Sequence, residues 1–317
     1  MSRIVFLVVC ALVVVFHPAH IKCQIAAETK KILTALFDSN TSNYDKIIPP
    51  RYDTTRAIEV KMEMWPVSIQ EFNEASEKFV YTAGLRMFWY DYRLKWNPSN
   101  YAGIDEITAP VTKVWTPAII LSSSATKDAI VLQDWNHVRF SSSGEVYTMQ
   151  PILVQSSCSM DLRYFPFDTQ SCDTVFMSFA YKDYEVEIGK KYEGISLKLY
   201  QENALWDIVS TNVSSELVPH AKEMQIHFIF NLKRKSQYVI ISVLLPIMFL
   251  GLLNTVVFLL VSDSGDRVGF CITILLAITV YMTIVMDILP QSSTPVPSIS
   301  YKLLGDLFCS ALITVVL

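Results

Sequence analysis

Two periodicities divide the first two thirds of the chain. In residues 25–37, IAAETKKILTALF, the residues Ile25, Ile32, Leu33, Leu36 and Phe37 fall near one helical face, which predicts one short amphipathic helix. Beyond it the period drops to two. Ile58, Val60, Met62 and Met64 alternate with Glu59, Lys61 and Glu63, and Met224, Ile226, Phe228, Phe230 and Leu232 alternate with Gln225, His227, Ile229 and Asn231. Alternation of this kind marks strands with one buried face. Between them lie shorter apolar runs at 81–96, 114–121, 130–140, 146–154, 175–179 and 195–199, several separated by turn pairs such as Asn97-Pro98 and Ser143-Gly144. A succession of short strands without helical crossovers predicts an all-β, immunoglobulin-like sandwich and argues against an α/β fold.

After residue 235 the pattern changes again. SQYVIISVLLPIMFLGLLNTVVFLLV (Ser236–Val261) is apolar for longer than a bilayer crossing requires, VGFCITILLAITVYMTIVMDIL (Val268–Leu289) is a second such run, and ISYKLLGDLFCSALITVVL (Ile299–Leu317) begins a third. These runs predict an all-α transmembrane bundle behind the sandwich, preceded by Lys233, Arg234 and Lys235. Because the chain stops inside the third run, a further stretch is expected to follow it. At the other end, Arg3, an apolar run from Ile4 to Phe16 and a polar tail read as a secretory leader, with a membrane anchor as the alternative. The expected division is a leader at 1–23, an extracellular domain at 24–235 and a membrane domain at 236–317.

Composition agrees with this layout. The 317 residues are 51% hydrophobic with a net charge of −4, and the mean hydropathy of +0.33 is high for a soluble protein. The mild acidity gives no reason to expect nucleic acid. Cys10 and Cys23 belong to the leader, and Cys271 and Cys309 to apolar runs, so the middle of the chain keeps only Cys158 and Cys172. In an oxidising compartment these two are expected to pair, closing a loop worth about 3 kcal/mol in the chain-entropy picture. Sequons at Asn40 and Asn212 fit the same compartment.

The second apolar run carries a stripe at helical spacing: Gly269, Thr273, Leu276, Val280, Thr283 or Ile284, and Asp287, with Asp266 just before it. Small, hydroxyl and bulky apolar residues bracketed by acids make sense in a ring of identical helices around a water path. The acids would form cation-concentrating collars, Leu276 an apolar constriction, and Thr273 a solvating group. Ordinary packing, with the two acids simply marking the ends of the span, is the alternative reading.

The loop CSMDLRYFPFDTQSC, from Cys158 to Cys172, encloses thirteen residues and carries Met160, Leu162, Phe165, Pro166 and Asp168. Together with WYDYRLKWNPSNY (Trp89–Tyr101), VWTP (Val114–Pro117) and SDSGDR (Ser262–Arg267), it resembles the Cys-loop receptors, the pentameric ligand-gated ion channels, and most closely the nicotinic acetylcholine receptor branch. The resemblance implies an extracellular sandwich, four membrane helices and five subunits around a pore in the plasma membrane. It also implies that Phe165, Pro166 and Phe167 meet the linker at 291–300, which contains Pro295, beside Arg234. The linker SDSGDR lacks the proline-alanine insertion of anion-selective relatives, which implies a cation channel.

The ligand site departs from that branch. Where aromatic rings of an ammonium cage are expected, the chain has Gly84, Ser122 and Phe179, with Tyr181 nearby. The segment expected to carry two tyrosines and adjacent cysteines, residues 210–224, has His220 as its one aromatic ring and no cysteine. Arg86, Tyr147 and Met149 are the candidates for the opposite wall. Phe179 is equally suited to core packing. Losing rings removes cation–π attraction of about 1–2 kcal/mol each, so a ligand other than acetylcholine is expected, larger or more amphiphilic. The expected partners are copies of the same chain in a homo-pentamer, or different subunits in a hetero-pentamer, along with permeant cations, membrane lipids and an unidentified small ligand. An obligate partner subunit and a non-conducting binding receptor are the alternatives. No cofactor is expected, no histidine spacing suggests a metal, and no nucleophile or phosphate motif suggests an enzyme.

Overall fold

The computed structural model describes residues 18–38, 42–53, 55–124, 130–259, 266–288 and 296–316. The leader run 4–16, Asn40 and Pro295 lie outside the described residues, as does the Asp266 side chain. The first helix, α1, runs Pro18–Phe37, starting earlier than the apolar spacing indicates. Proline suits a first helical position because its missing N–H has no partner there in any case. Ile32 and Leu36 are buried and Leu33 and Phe37 pack beside them, whereas Ile25 is exposed, one turn beyond the sheet's reach.

Ten strands follow: β1 (Ile58–Asn73), β2 (Lys78–Tyr90), β3 (Glu106–Pro110), β4 (Ile119–Leu121), β5 (His137–Ser141), β6 (Glu145–Ser157), β7 (Thr169–Ser178), β8 (Val186–Lys190), β9 (Trp206–Val218) and β10 (Glu223–Arg234). They form a six-stranded sheet in the order β3-β5-β6-β2-β1-β8 and a four-stranded sheet in the order β4-β7-β10-β9. All pairs are antiparallel except β1 with β8. The alternating apolar residues of β1 and β10 face inward as their period requires, joined by Phe79, Tyr81, Phe140 and Phe176 between the sheets. Pro66, which cannot donate to a ladder, sits where the β1–β2 register slips. Gly144 turns β5 into β6 at a φ of +93°, a conformation that favours glycine.

One expectation fails in detail. The run at 195–199 is loop, not strand: it has no partner of matching length and buries Ile195 alone among its apolar residues. The segment 210–224, to which the alternation assigned no element before Met224, is mostly strand. Ser210–Val218 belongs to β9 and β10 resumes at Glu223, leaving a short tip at 219–222, because Ser and Asn on a solvent face hide the alternation. Phe179 is 59% exposed, so it is not a core residue.

Behind β10 stand three helices long and apolar enough to cross a membrane: α2 (Gln237–Leu259), α3 (Asp266–Ile288) and α4 (Ser298–Val316). In α2 a π-helical turn at Ile240–Leu244 directly precedes Pro246, which would otherwise break the hydrogen-bond ladder. The helices pack through Cys271, Ile274 and Ile278 of α3 and Val257 of α2.

Candidate ligand and coupling sites

Cys158 follows β6 in one sheet and Cys172 lies on β7 in the other, and the two sulfurs are bonded at 2.05 Å. The loop they close stands at the helical end of the sandwich. Met160, Leu162 and Phe165 are buried there with Val243 and Ile247 of α2, Val285 of α3, and Ile299 and Leu303 of α4. Phe165 therefore enters the helix bundle itself. Two residues earlier the loop meets the start of α4: the Ser298 hydroxyl donates to the Arg163 carbonyl at 2.6 Å. Pro166 is buried, but Phe167 is 64% exposed and takes no part in this contact.

Arg234, the last residue of β10, sits behind the loop. Its Nε and Nη2 donate to the two oxygens of Asp168 at 2.8 and 3.1 Å, and its Nη1 donates to Glu74 at 2.5 Å. The guanidinium lies 4.2 Å from the Trp206 ring centre and 4.9 Å from that of Phe165. Burial works to lower the Arg234 pKa. The hydrogen bonds and charge of Asp168, with the charge of Glu74, outweigh it and hold the pKa above its ordinary value. One side chain thus fastens the β1–β2 turn, the Cys158–Cys172 loop and the start of α2. Sequence reasoning singled out Arg234 but missed Glu74 and Trp206, which reach it only through folding.

The ligand-site candidates form two groups on different sheets. Pairing of β4 with β7 sets Phe179 and Ser122 at opposite ends of β4: Phe179 N–H donates to the Ala118 carbonyl just before the strand, and Ser122 N–H, just after it, to that of Val175. Trp115 Nε1 donates to the Tyr181 hydroxyl at 3.2 Å. The β9–β10 tip bearing His220 is tied alongside, since Lys182 Nζ donates to the Ala221 carbonyl at 3.0 Å.

Gly84, Arg86, Tyr147 and Met149 lie on the outward face of the six-stranded sheet. Trp65 of β1 stands directly opposite Gly84 in register. A Cβ on Gly84 would come within 3.3 Å of the Trp65 ring, so the glycine makes the space that the indole covers. Arg86 lies over that ring at 4.6 Å and near those of Phe88 and Tyr147 at 5.7 and 5.8 Å. Lys191 covers Phe88 at 4.7 Å. Trp65, Glu63 and Lys191 were not among the sequence candidates. Trp65 had a signal: it falls in the polar phase of the β1 alternation, where an aromatic ring needs a reason. Beside this platform opens a cavity of about 730 Å³ lined by Phe88, Tyr147, Lys191, Lys61 and Arg56 among others.

On α3, Leu276, Val280 and Ile284 are 64%, 51% and 47% exposed, and Gly269, Thr273, Thr283 and Asp287 are exposed with them. Cys271, Ile274, Ile278 and Val285 face the other helices. The Thr273 hydroxyl donates to the Gly269 carbonyl at 2.8 Å, which leaves its oxygen lone pairs free to accept. Asn212 is exposed on β9, with its side-chain oxygen accepting from the Val213 N–H.

Two family models and several curated relatives match this chain. The family model for the neurotransmitter-gated ion-channel ligand binding domain matches residues 30–236, and that for the neurotransmitter-gated ion-channel transmembrane region matches residues 243–317. The chain is 28% identical over 283 residues to neuronal acetylcholine receptor subunit beta-4 of Bos taurus, covering 89% of this chain and 56% of the relative. It is 29% identical over 278 residues to subunit alpha-3 of Homo sapiens, covering 85% and 54%. It is 31% identical over 283 residues to acetylcholine receptor subunit beta-like 1 of Drosophila melanogaster, covering 86% and 54%. The chain spans little more than half the length of the curated relatives it matches.

Proposed function

The chain belongs to the neurotransmitter-gated ion-channel family, and from that premise we propose that it is a subunit of a pentameric, cation-selective channel of the plasma membrane, opened by a ligand other than acetylcholine. The family is one of channels, not enzymes. On this reading residues 1–23 are a leader, 24–235 face the outside, carrying glycans at Asn40 and Asn212, and 236–317 sit in the membrane.

One observation carries the pore assignment. The stripe Gly269, Thr273, Leu276, Val280, Thr283, Ile284 and Asp287 is left uncovered while the opposite face of α3 packs inside its own subunit. Five such stripes around an axis line a path with Leu276 as its constriction and Asp266 and Asp287 as its acidic mouths. The coupling assignment is supported by the packing of Phe165 among the helices and by the clamp of Arg234 on Asp168 and Glu74. A displacement of the sandwich then moves the helices directly.

The ligand assignment is supported by what the two walls offer. Ser122, Phe179, Tyr181 and His220 form one, and Gly84, Arg86, Tyr147 and Met149 the other. The second wall assembles no cage of open aromatic faces, since Arg86 lies over Trp65 and Lys191 over Phe88. The same observation favours a second reading, a subunit that conducts only beside a different one supplying the missing rings.

Expression in cells with few native channels tests both. A cation current with the chain alone, reduced by Asp266→Ala and altered by Leu276→Thr, is expected for a homo-pentamer. Current only on co-expression supports the second reading. No current in either setting, with protein confirmed at the surface, overturns the channel assignment.

A further inference from the structure

An open sheet has two edge strands, and the edges of this sandwich are unequal. In the six-stranded sheet they are β3 and β8, and in the four-stranded sheet β4 and β9. Strands β3 and β8 have five residues each and β4 has three, whereas β9 has thirteen. An edge presents a row of unpaired N–H and C=O groups, a template for pairing with another chain. Shortness, charges, prolines and bulges are the usual protections. Strand β3 carries Glu106 and Pro110, β8 carries Glu187 and Lys190, and β4 is protected by its length alone.

The long edge, β9, has these devices only towards its ends. Asp207 stands near its start and Glu216 near its finish, and the register with β10 slips at Val209, between Ile208 and Ser210. From Ser210 to Ser215 the strand reads STNVSS, with no charge, no proline and no bulge. Its one strand partner among the described residues is β10. In the middle of this stretch stands the sequon Asn212-Val213-Ser214. Val213 turns inward and is buried, so Asn212 before it and Ser214 after it turn outward. The Asn212 side-chain oxygen accepts from the Val213 N–H, and its Nδ2, the atom that a glycan would take, makes no hydrogen bond among the described residues.

We infer that the glycan at Asn212 protects this edge: a bulky, hydrated oligosaccharide rooted in the middle of β9 keeps its free side from pairing with the β9 of a second copy. This rests on the reading above in taking the sandwich as extracellular, and it gives the Asn212 glycan a task. Attachment belongs to the nascent chain. Nδ2 forms a bond to the anomeric carbon of an oligosaccharide carried on a lipid pyrophosphate, the pyrophosphate leaves with the bonding electrons, and Nδ2 gives up one proton. A second strand must come within about 4.8 Å to pair, an approach that the attached sugar obstructs. The neutral sequence of residues 210–215 then needs no charge of its own.

The test expresses the full chain in animal cells and solubilises it from their membranes. Glycans are counted by the gel shift on treatment with an N-glycosidase, and association is read by size-exclusion chromatography. The native chain should carry a glycan at each of its sequons, Asn40 and Asn212. Asn212→Gln and Ser214→Ala should each lose one glycan and move protein from the native peak into larger assemblies. Ser214→Ala keeps the asparagine, so it separates loss of the sugar from loss of the side chain. Ser215→Lys added to Asn212→Gln places a charge on an exposed edge position without a glycan, and it should restore the native peak. A glycan at Asn40 with Asn212 bare overturns the inference. So does a glycan at Asn212 whose loss leaves the native peak unchanged, and so do larger assemblies that the lysine does not reverse. A chain bare at both sequons sinks the extracellular placement and this inference with it. A glycosylated chain that behaves as expected yet passes no current sinks the channel assignment alone.

Discussion

Two arginines of this chain lie on tryptophan rings, and they serve different ends. Arg234 stacks on Trp206 and is gripped by Asp168 and Glu74 at 2.5–3.1 Å, with 7% of its side chain exposed. Arg86 stacks on Trp65 at nearly the same separation, with its nearest acid at 3.9 Å and 31% of its side chain exposed. The cation–aromatic pair is common to both, so it does not decide what the residue does. The carboxylates decide. Where they saturate the donors, the arginine joins distant segments of the fold; where they stop short, it spans only neighbouring strands, from Trp65 of β1 to Met149 of β6.

The largest effect expected from this contrast is on stability. Arg234→Gln leaves Asp168, whose side chain is 1% exposed, as a buried charge without its partner. Removing one member of such a pair costs about 3–5 kcal/mol. Arg86→Gln removes only a distant, partly hydrated ion pair and should cost about 0–1 kcal/mol. Thermal unfolding of both variants in nanodiscs would measure the difference. Equal losses would mean that Arg86 is also a structural fastener, and the contrast between the two sites would collapse.

The sequence displayed Arg234 and Arg86 equally well and could not tell them apart. The sandwich was readable from alternation in β1 and β10, and the helices from the length of their apolar runs, because both signals are local and repeat. Glu74, Trp206 and Asp168 reach Arg234 from three separate parts of the chain, and no local pattern encodes that meeting. Trp65 meets Gly84 only through the β1–β2 register, which slips at Pro66 and again past Ile69. Strand β9 was hidden for a related reason: its exposed Ser and Asn residues lack the alternation that burial imposes. The exposed position of Phe167 was hidden too, since a Phe-Pro-Phe run does not show which ring will enter the helices.

A smaller effect separates the platform from the charge it carries. Gly84→Ala places a methyl group 3.3 Å from the Trp65 ring, close enough that the ring must shift by a few tenths of an ångström. Replacing a strand glycine with alanine gains about 0.5–1 kcal/mol of backbone entropy, and the displaced ring offsets that gain, so net stability should change by less than about 1 kcal/mol. Thermal unfolding of Gly84→Ala checks this, and a larger loss would show that the Trp65 ring cannot give way.

The smallest effect concerns Glu63, the acid that fails to reach Arg86. Burial raises its pKa above the ordinary 4.5, against the opposing charges of Arg86 and Lys191. A carboxyl whose folded pKa is raised contributes stability that is fully present below its unfolded pKa and is lost as pH rises through its folded pKa. Glu63→Gln abolishes that titration. The stability of the variant relative to the native chain should therefore increase as pH rises from below 4.5 towards neutrality, a trend opposite to that of a well-paired acid. In an Arg86→Gln background one opposing charge is gone, so the Glu63 titration should move to higher pH and the trend should extend with it. Paired pH–stability profiles of Glu63→Gln in both backgrounds would detect the movement. If the two profiles coincide, Glu63 does not sense the guanidinium at 3.9 Å.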